Sequence, residues 1–226
     1  MTTLLLLRHG RSTANTAGVL AGRTEGVGLD EVGLAQARTV AERLSEVTFS
    51  TLVTSPMRRC RQTLEPLARA TGLDPVVDDS FAEVDYGSWT GHPLADLAKQ
   101  DLWRTVQAHP SAAVFPDGES LAGMSMRAVT GVRALLAAAG ADDTLLVCSH
   151  GDVIKAILAD ALGLHLDGFQ RIVVAPASVS VVRYTPLRPF VEKVNDTADF
   201  GSLRPPARQG GSAEESADAV PGGIAG

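Results

Sequence analysis

Short, unbroken apolar runs alternate along this chain with stretches whose apolar positions recur every three or four residues. The runs fall at residues 4–7, 51–54, 75–77, 144–148, 179–184 and 190–194. The first is four consecutive leucines, bounded by turn formers, a pattern that suits a strand buried on both faces. Such strands belong to the parallel sheets of α/β proteins. Between the runs, Leu34, Ala37, Ala41 and Leu44 fall on one helical face, and Cys60, Leu64, Leu67 and Ala68 on another. Ser120 is placed to cap a helix over residues 121–139, and a further helix is expected over residues 152–162. This alternation predicts a three-layer α/β/α sandwich around a mostly parallel central sheet.

Residues 85–117 break the rhythm and read as short helices and loops, with Trp89, Trp103 and Phe115 available to cover one end of the sheet. From Gly201 onward, 12 of the 26 residues are Gly, Pro or Ser, and the few apolar ones show no period. One folded domain over residues 1–200 and a disordered tail over residues 201–226 are therefore expected. The chain carries no internal repeat.

With 226 residues, 45% of them hydrophobic, the chain can bury one substantial core without help from a disulfide or a metal. Twenty Lys and Arg against 26 Asp and Glu give a net charge of −6. That balance excludes a general nucleic-acid binder held by phosphate attraction, so cations that serve an anionic ligand must be concentrated locally. Cys60 and Cys148 lie in segments that read as helix and core strand, which favours buried thiols over a disulfide framework. The N-terminal apolar run has no basic flank before it and is interrupted by Arg8 and His9, so neither a signal peptide nor a membrane span is expected. Together these features lead to the expectation of a cytoplasmic protein with no membrane partner; a homo-oligomer is left open.

The chemistry concentrates at strand ends. Arg8-His9-Gly10 follows the leucine run directly, and Ser149-His150-Gly151 follows the run at residues 144–148. One such histidine would be an ordinary hydrogen-bonded loop residue, but two at the carboxyl edge of an α/β sheet are placed to converge where ligands bind. Arg8 adjoins the first, and Arg58, Arg59 and Arg61 follow another strand, although at least one of these three must be a surface residue. Arginine's fork of donors matches phosphate oxygens, so a basic cluster in an acidic protein points to a local anion site. The chain has no Gly-rich phosphate loop ending in Lys-Ser or Lys-Thr, and no Cys and Arg spaced to cradle a phosphate. A histidine nucleophile is the remaining route. An unprotonated imidazole attacks phosphorus, while arginines and a second, protonated imidazole stabilise the equatorial oxygens, with no metal cofactor. The departing oxygen needs a proton donor, for which Glu83, among apolar neighbours that raise its proton affinity, competes with Asp85. A zinc reading of His9, His150 and Glu83 as ligands is opposed by the flanking arginines, which repel a cation. His92, His109 and His165 lie outside these motifs and read as surface residues. Asp117-Gly118-Glu119-Ser120 reads as a turn feeding a capped helix.

Four separated elements now stand in order: residues 8–15, 55–63, 83–91 and 149–151. In that arrangement the chain resembles the histidine phosphatase superfamily, which includes the cofactor-dependent phosphoglycerate mutases. The resemblance covers most of residues 4–194. It implies His9 as the phosphorylated nucleophile, Arg8, Arg59 and His150 as the phosphate pocket, and Glu83 as general acid and base. Arg59 is chosen over Arg58 because the family sets its arginine four residues after the serine. Ser12, Asn15, Gly22 and Gly151 match substrate-binding positions. The chain departs from the family at Trp89-Thr90-Gly91, where Trp-Glu-Gly is common, and in the loop at residues 23–29. Mutases of this type carry a longer insertion with paired arginines, whereas here only Lys99 and Arg104 are cationic between Gly91 and Pro116. The expectation is a metal-independent phosphatase acting on a small phosphorylated substrate. A mutase and an inactive phospho-ligand-binding relative are the alternatives.

Overall fold

The computed structural model describes residues 1–198. Six strands form one sheet: β1 (Thr2–Arg8), β2 (Thr51–Thr54), β3 (Val76–Val77), β4 (Thr144–Ser149), β5 (Val179–Tyr184) and β6 (Pro189–Asp196), in the order β3-β2-β4-β1-β5-β6. The first four in that order run parallel, β5 is antiparallel to β1, and β6 is antiparallel to β5. Side chains alternate across a strand, so Leu4 and Leu6 pack into one apolar layer while Leu5 and Leu7 pack into the other. The leucine run is thus buried on both faces, as its composition demands.

Helices α1 (Thr13–Ala17), α2 (Glu31–Arg43), α3 (Arg58–Thr71), α4 (Leu94–Leu97), α5 (Asp101–Ala108), α6 (Leu121–Ala138) and α7 (Gly151–Ala161) complete the sandwich. Val40 and Ala41 of α2 and Cys60, Leu64 and Leu67 of α3 pack under Leu5 and Leu7. Several residues of α6 and α7 join Leu4 and Leu6 on the opposite side. Leu34 departs from the expected helical face, being 39% exposed. Gly33 occupies the buried position instead, because a Cβ there would stand 2.0 Å from the Arg11 carbonyl. A Cβ on Gly10 would likewise lie 2.8 Å from the Gly33 carbonyl, so α2 presses directly on the loop that follows β1. Asp30 fixes the approach, accepting from Gly33 N–H at 2.8 Å and from Arg11 Nε at 2.7 Å.

The third strand is shorter than the apolar run at residues 75–77, because Pro75 has no N–H for the ladder. The irregular segment is organised by its aromatics. Trp89 stacks on Trp103 with centroids 6.2 Å apart, and Phe115 meets both Trp89 and Tyr86 edge-on. All but Trp103 are buried, in the same layer as Leu4, so these rings are core and not pocket lining. Cys60 and Cys148 are buried free thiols. No helix among the described residues is long and apolar enough to cross a membrane. The tail expected over residues 201–226 lies outside the described residues.

Candidate active site

Register brings the two histidine motifs together. Arg8 of β1 pairs with Ser149 of β4, so His9 and His150 leave the sheet side by side. His9 N–H donates to the Ser149 carbonyl at 3.0 Å, and the two imidazoles meet edge-on with centroids 5.3 Å apart. On the far side of β4, β2 delivers Ser55 and then Arg59 in the first turn of α3. Arg58 and Arg61 on the same helix are exposed, so only Arg59 turns into the site. His150 caps α7, whose first-turn N–H groups, beginning with buried Gly151, lack intrahelical acceptors and favour an anion.

Each functional group is held by a partner that defines its state. A carbonyl can only accept, so the 2.7 Å contact between His9 Nδ1 and the Gly10 carbonyl places the proton on Nδ1. Nε2 is left with its lone pair, the form a nucleophile requires. Burial, and then the charges of Arg59 and Arg8, hold the His9 proton affinity well below the usual histidine range. Arg8, fully buried, donates to the Val174 carbonyl at 2.7 Å. Arg59 donates through Nη2 to the Gly22 carbonyl at 2.9 Å and to His150 Nδ1 at 3.1 Å. Its Nη1 is buried with no hydrogen-bond partner among the described residues, a donor that a phosphate oxygen would satisfy.

Glu83 sits against this cluster. Its Oε2 lies 3.4 Å from His150 Nδ1 and 3.6 Å from Arg59 Nη2, and its Oε1 accepts from Val84 N–H at 3.0 Å. Burial raises its pKa to about 7, with Asp152 adding to the rise and Arg59 opposing it. Asp85, the competing carboxylate, is 44% exposed and faces Arg23. Geometry therefore brings Glu83, not Asp85, to the imidazoles.

His150 differs from expectation. Arg59 donates into its Nδ1, and Nε2 meets Ser55 Oγ at 2.7 Å. Burial first, then Arg59, His9 and Arg8, lower its proton affinity well below 6.5. In this arrangement the ring is neutral, not the protonated imidazole expected from the chain's motifs. The reason is that burial removes the solvent that would stabilise an imidazolium, and Arg59, His9 and Arg8 add positive or potential positive charge beside it; a phosphate dianion would oppose both effects.

The substrate-binding candidates divide. Ser12 is buried as the cap of α1 and donates to Asn15 Oδ1 at 2.8 Å, so these two hold each other and leave the Asn15 Nδ2 as donor. Gly22, at φ +50°, has no room for a side chain, since a Cβ would meet Thr90 Oγ1 at 2.7 Å. Its carbonyl orients Arg59, which is a positioning contact. His92, His109 and His165 are exposed.

Ser55, Asp152 and the Tyr86–Asp152–Lys155 cluster are additions that local reading missed. Tyr86 donates to Asp152 Oδ2 at 2.9 Å, and Lys155 lies 3.5 Å from Oδ1, all three side chains fully buried. Ser55 opened a motif and Asp152 followed one directly, which was the available signal. Tyr86 lies inside the element at residues 83–91 but is not singled out by it, and nothing near Lys155 in the chain marks that residue.

Ligand atoms of His9, Glu83 and His150 lie within 4.8 Å of one another, close enough to hold a metal ion. The chemistry of the donor set is against it. Arg59 Nη2 already occupies His150 Nδ1, the Gly10 carbonyl occupies His9 Nδ1, and two buried guanidinium groups would repel the cation.

Comparison with known proteins agrees with this arrangement. The profile of the histidine phosphatase superfamily (branch 1) matches residues 4–197. The chain is 30% identical over 206 residues to phosphoserine phosphatase 1 of Hydrogenobacter thermophilus, covering 90% of this chain and 96% of that one. It is 29% identical over 186 residues to a probable phosphoglycerate mutase, GpmB, of Yersinia pestis, covering 81% and 86%. Among solved structures, a mycobacterial glucosyl-3-phosphoglycerate phosphatase complexed with VO3 superposes with TM-score 0.79 at 26% identity, covering 86% of this chain and 99% of that one. The chain belongs to the histidine phosphatase superfamily, branch 1. Its buried His9, Glu83 and His150 cluster is that of an enzyme hydrolysing phosphomonoesters by the phosphohistidine chemistry of that family.

Proposed function

We propose that the chain hydrolyses small phosphomonoesters with alcohol leaving groups, with His9 as nucleophile and Glu83 as general acid and then base. In the first step His9 Nε2 attacks phosphorus, the bond to the ester oxygen breaks, and Glu83 delivers its proton to the departing alkoxide. Arg8, Arg59, His150 and the α7 N-terminus at Gly151 surround the transferring phosphoryl group and offset its charge. In the second step Glu83, now ionised, takes a proton from water as its oxygen attacks phosphorus and the bond to Nε2 breaks. The reading is carried by one observation: a buried carboxyl group of pKa about 7 lies 3.4 Å from His150 beside a neutral nucleophilic imidazole. Such a group is half protonated near neutral pH and can serve both steps.

Hydrolysis is favoured over mutase transfer by the cations of the irregular segment. Lys99 is exposed and paired with Asp96, and Arg104 is exposed, so neither is held as a buried grip for a second acid group. Residues 1–200 are assigned the whole activity, because every proposed site residue falls within them. Two buried thiols support a reducing, cytoplasmic setting.

The test is Glu83→Gln assayed against two leaving groups. Hydrolysis of an alkyl phosphate should fall by about 100-fold or more, whereas phosphorylation by p-nitrophenyl phosphate, whose phenolate leaves without help, should change little. A burst of nitrophenolate followed by slow turnover is the expected trace. Unimpaired kinetics with both substrates would overturn the assignment.

A further inference from the structure

The main-chain carbonyl of Glu83 is gripped by two arginines from distant parts of the fold. Arg23, in the loop after Gly22, donates to it through Nε at 2.8 Å, and Arg127, on α6, through Nη2 at 3.1 Å. Glu119 ties the pair together. Its Oε1 accepts from Arg23 Nη2 at 3.1 Å, from Arg127 Nη2 at 2.6 Å and from Asp85 N–H at 2.9 Å, while its Oε2 accepts from Arg127 Nε at 3.0 Å. Arg127 also donates to the Ser80 carbonyl at 2.9 Å, one turn upstream.

The gripped carbonyl belongs to the same peptide unit as Val84 N–H, and that N–H donates to Oε1 of the Glu83 side chain at 3.0 Å. A peptide group is planar, so fixing its oxygen also aims its N–H. Donors on the oxygen polarise the unit and strengthen the bond that its N–H makes. We propose that Arg127 and Arg23, locked to each other by Glu119, are positioning residues that orient the Glu83–Val84 peptide and thereby hold the Glu83 carboxyl group in place for proton transfer. The proposal rests on the reading of Glu83 as general acid. It also gives the turn at residues 117–120 a purpose beyond helix capping. Arg23 further links the acid to the loop that carries Gly22, whose carbonyl orients Arg59.

Glu83 is faced by Arg8 and His9 from the β1 end, Arg59 from α3, His150 at the N-cap of α7, Asp152 and Lys155 within α7, Tyr86 from its own segment, and Arg127 and Arg23 behind its backbone, with Glu119 and Asp85 beyond the guanidinium groups. Loss of Arg127 removes one cation and loosens the Val84 N–H bond, both of which favour the ionised carboxylate. The pH at which the acid form is lost should therefore rise.

The test is a double-mutant cycle between Arg127→Gln and Glu83→Gln. In the native background Arg127→Gln should lower kcat for an alkyl phosphate by roughly 10-fold or more with KM changed by less than about threefold, and should move the upper limb of the pH–rate profile upward. Phosphorylation by p-nitrophenyl phosphate should change by less than about threefold. In the Glu83→Gln background the same substitution should add less than about twofold. An equal loss in both backgrounds, or an upper limb that stays or falls, overturns the proposal while leaving the role of Glu83 intact. If Glu83→Gln alone spares alkyl phosphate hydrolysis, the general-acid reading fails and the proposal falls with it. Arg23→Gln, at a side chain 39% exposed, supplies the same cycle if Arg127→Gln does not fold. Arg23→Lys should recover part of the loss by restoring one donor.

Discussion

Arg59 donates through Nη2 to Nδ1 of His150 across 3.1 Å, and the same nitrogen lies 3.6 Å from Oε2 of Glu83. Burial disfavours the charged form of both groups, and this one guanidinium group reinforces it at the imidazole while opposing it at the carboxyl group. The site carries its positive charge on two arginines and leaves both histidines neutral.

Binding of phosphate or vanadate should therefore be coupled to proton uptake, since a dianion beside His150 opposes the fields of Arg59 and Arg8. Calorimetry in buffers of different ionisation enthalpy measures the protons taken up, and affinity should weaken as pH rises above about 7. Binding with no proton exchange would show that His150 stays neutral in the complex.

His9→Ala should abolish turnover, because no other imidazole nitrogen in the cluster is left with a lone pair unengaged. Arg59 occupies Nδ1 of His150 and Ser55 meets its Nε2. Brief incubation of the native enzyme with labelled substrate should leave acid-labile, base-stable phosphate on His9. Full activity in the variant would remove the mechanism.

Glu83 also links pH to stability. Its folded pKa, about 7, lies above its ordinary value of 4.5, so its favourable contribution is complete below about pH 4.5 and is lost as pH rises through 7. Glu83→Gln should then stabilise the fold at pH 8 relative to pH 4.5 by an amount on the order of 3 kcal/mol. His9 and His150 act in the opposite sense. Their folded values are depressed, so their contribution is present above about 6.5 and lost as pH falls below it. Thermal melts of both forms from pH 4.5 to 8 would check the signs, and parallel curves would refute the assignment.

Chelators should leave activity unchanged and vanadate should inhibit it, because vanadate adopts the five-coordinate geometry of the transferring phosphoryl group. Activity that is lost to a chelator and restored by zinc would reassign the His9, Glu83 and His150 cluster as a metal site.

Gly33→Ala should destabilise the protein by about 2 kcal/mol or more and reduce activity with it. The added Cβ would stand 2.0 Å from the Arg11 carbonyl, and relief of that clash must move α2 away from the loop after His9. Melting temperature and kcat, measured together, would show whether the two effects track each other.

The chain by itself determined the layers and the nucleophile's neighbourhood, because both are local. A leucine run writes a doubly buried strand in four letters, and a histidine that follows such a strand is placed at the ligand-binding edge without further information. Arg59 stood out once the spacing from Ser55 was compared with a known pattern, although three arginines in four positions looked equivalent beforehand. The choice between Glu83 and Asp85 was different. Two carboxylates two residues apart differ in burial and in what they face, and both properties come from β4, α3 and α7, which are distant in sequence. Tertiary structure alone decided that the His150 ring is neutral, since its state is set by burial and by the fields of Arg59 on α3 and of Arg8 and His9 at the end of β1. The same holds for Arg23, Glu119 and Arg127, scattered over a hundred residues and ordinary surface charges in any local window. Packing of α6 against the segment bearing Glu83 makes them partners, because a carbonyl oxygen accepts from whichever donors the fold brings within hydrogen-bond distance.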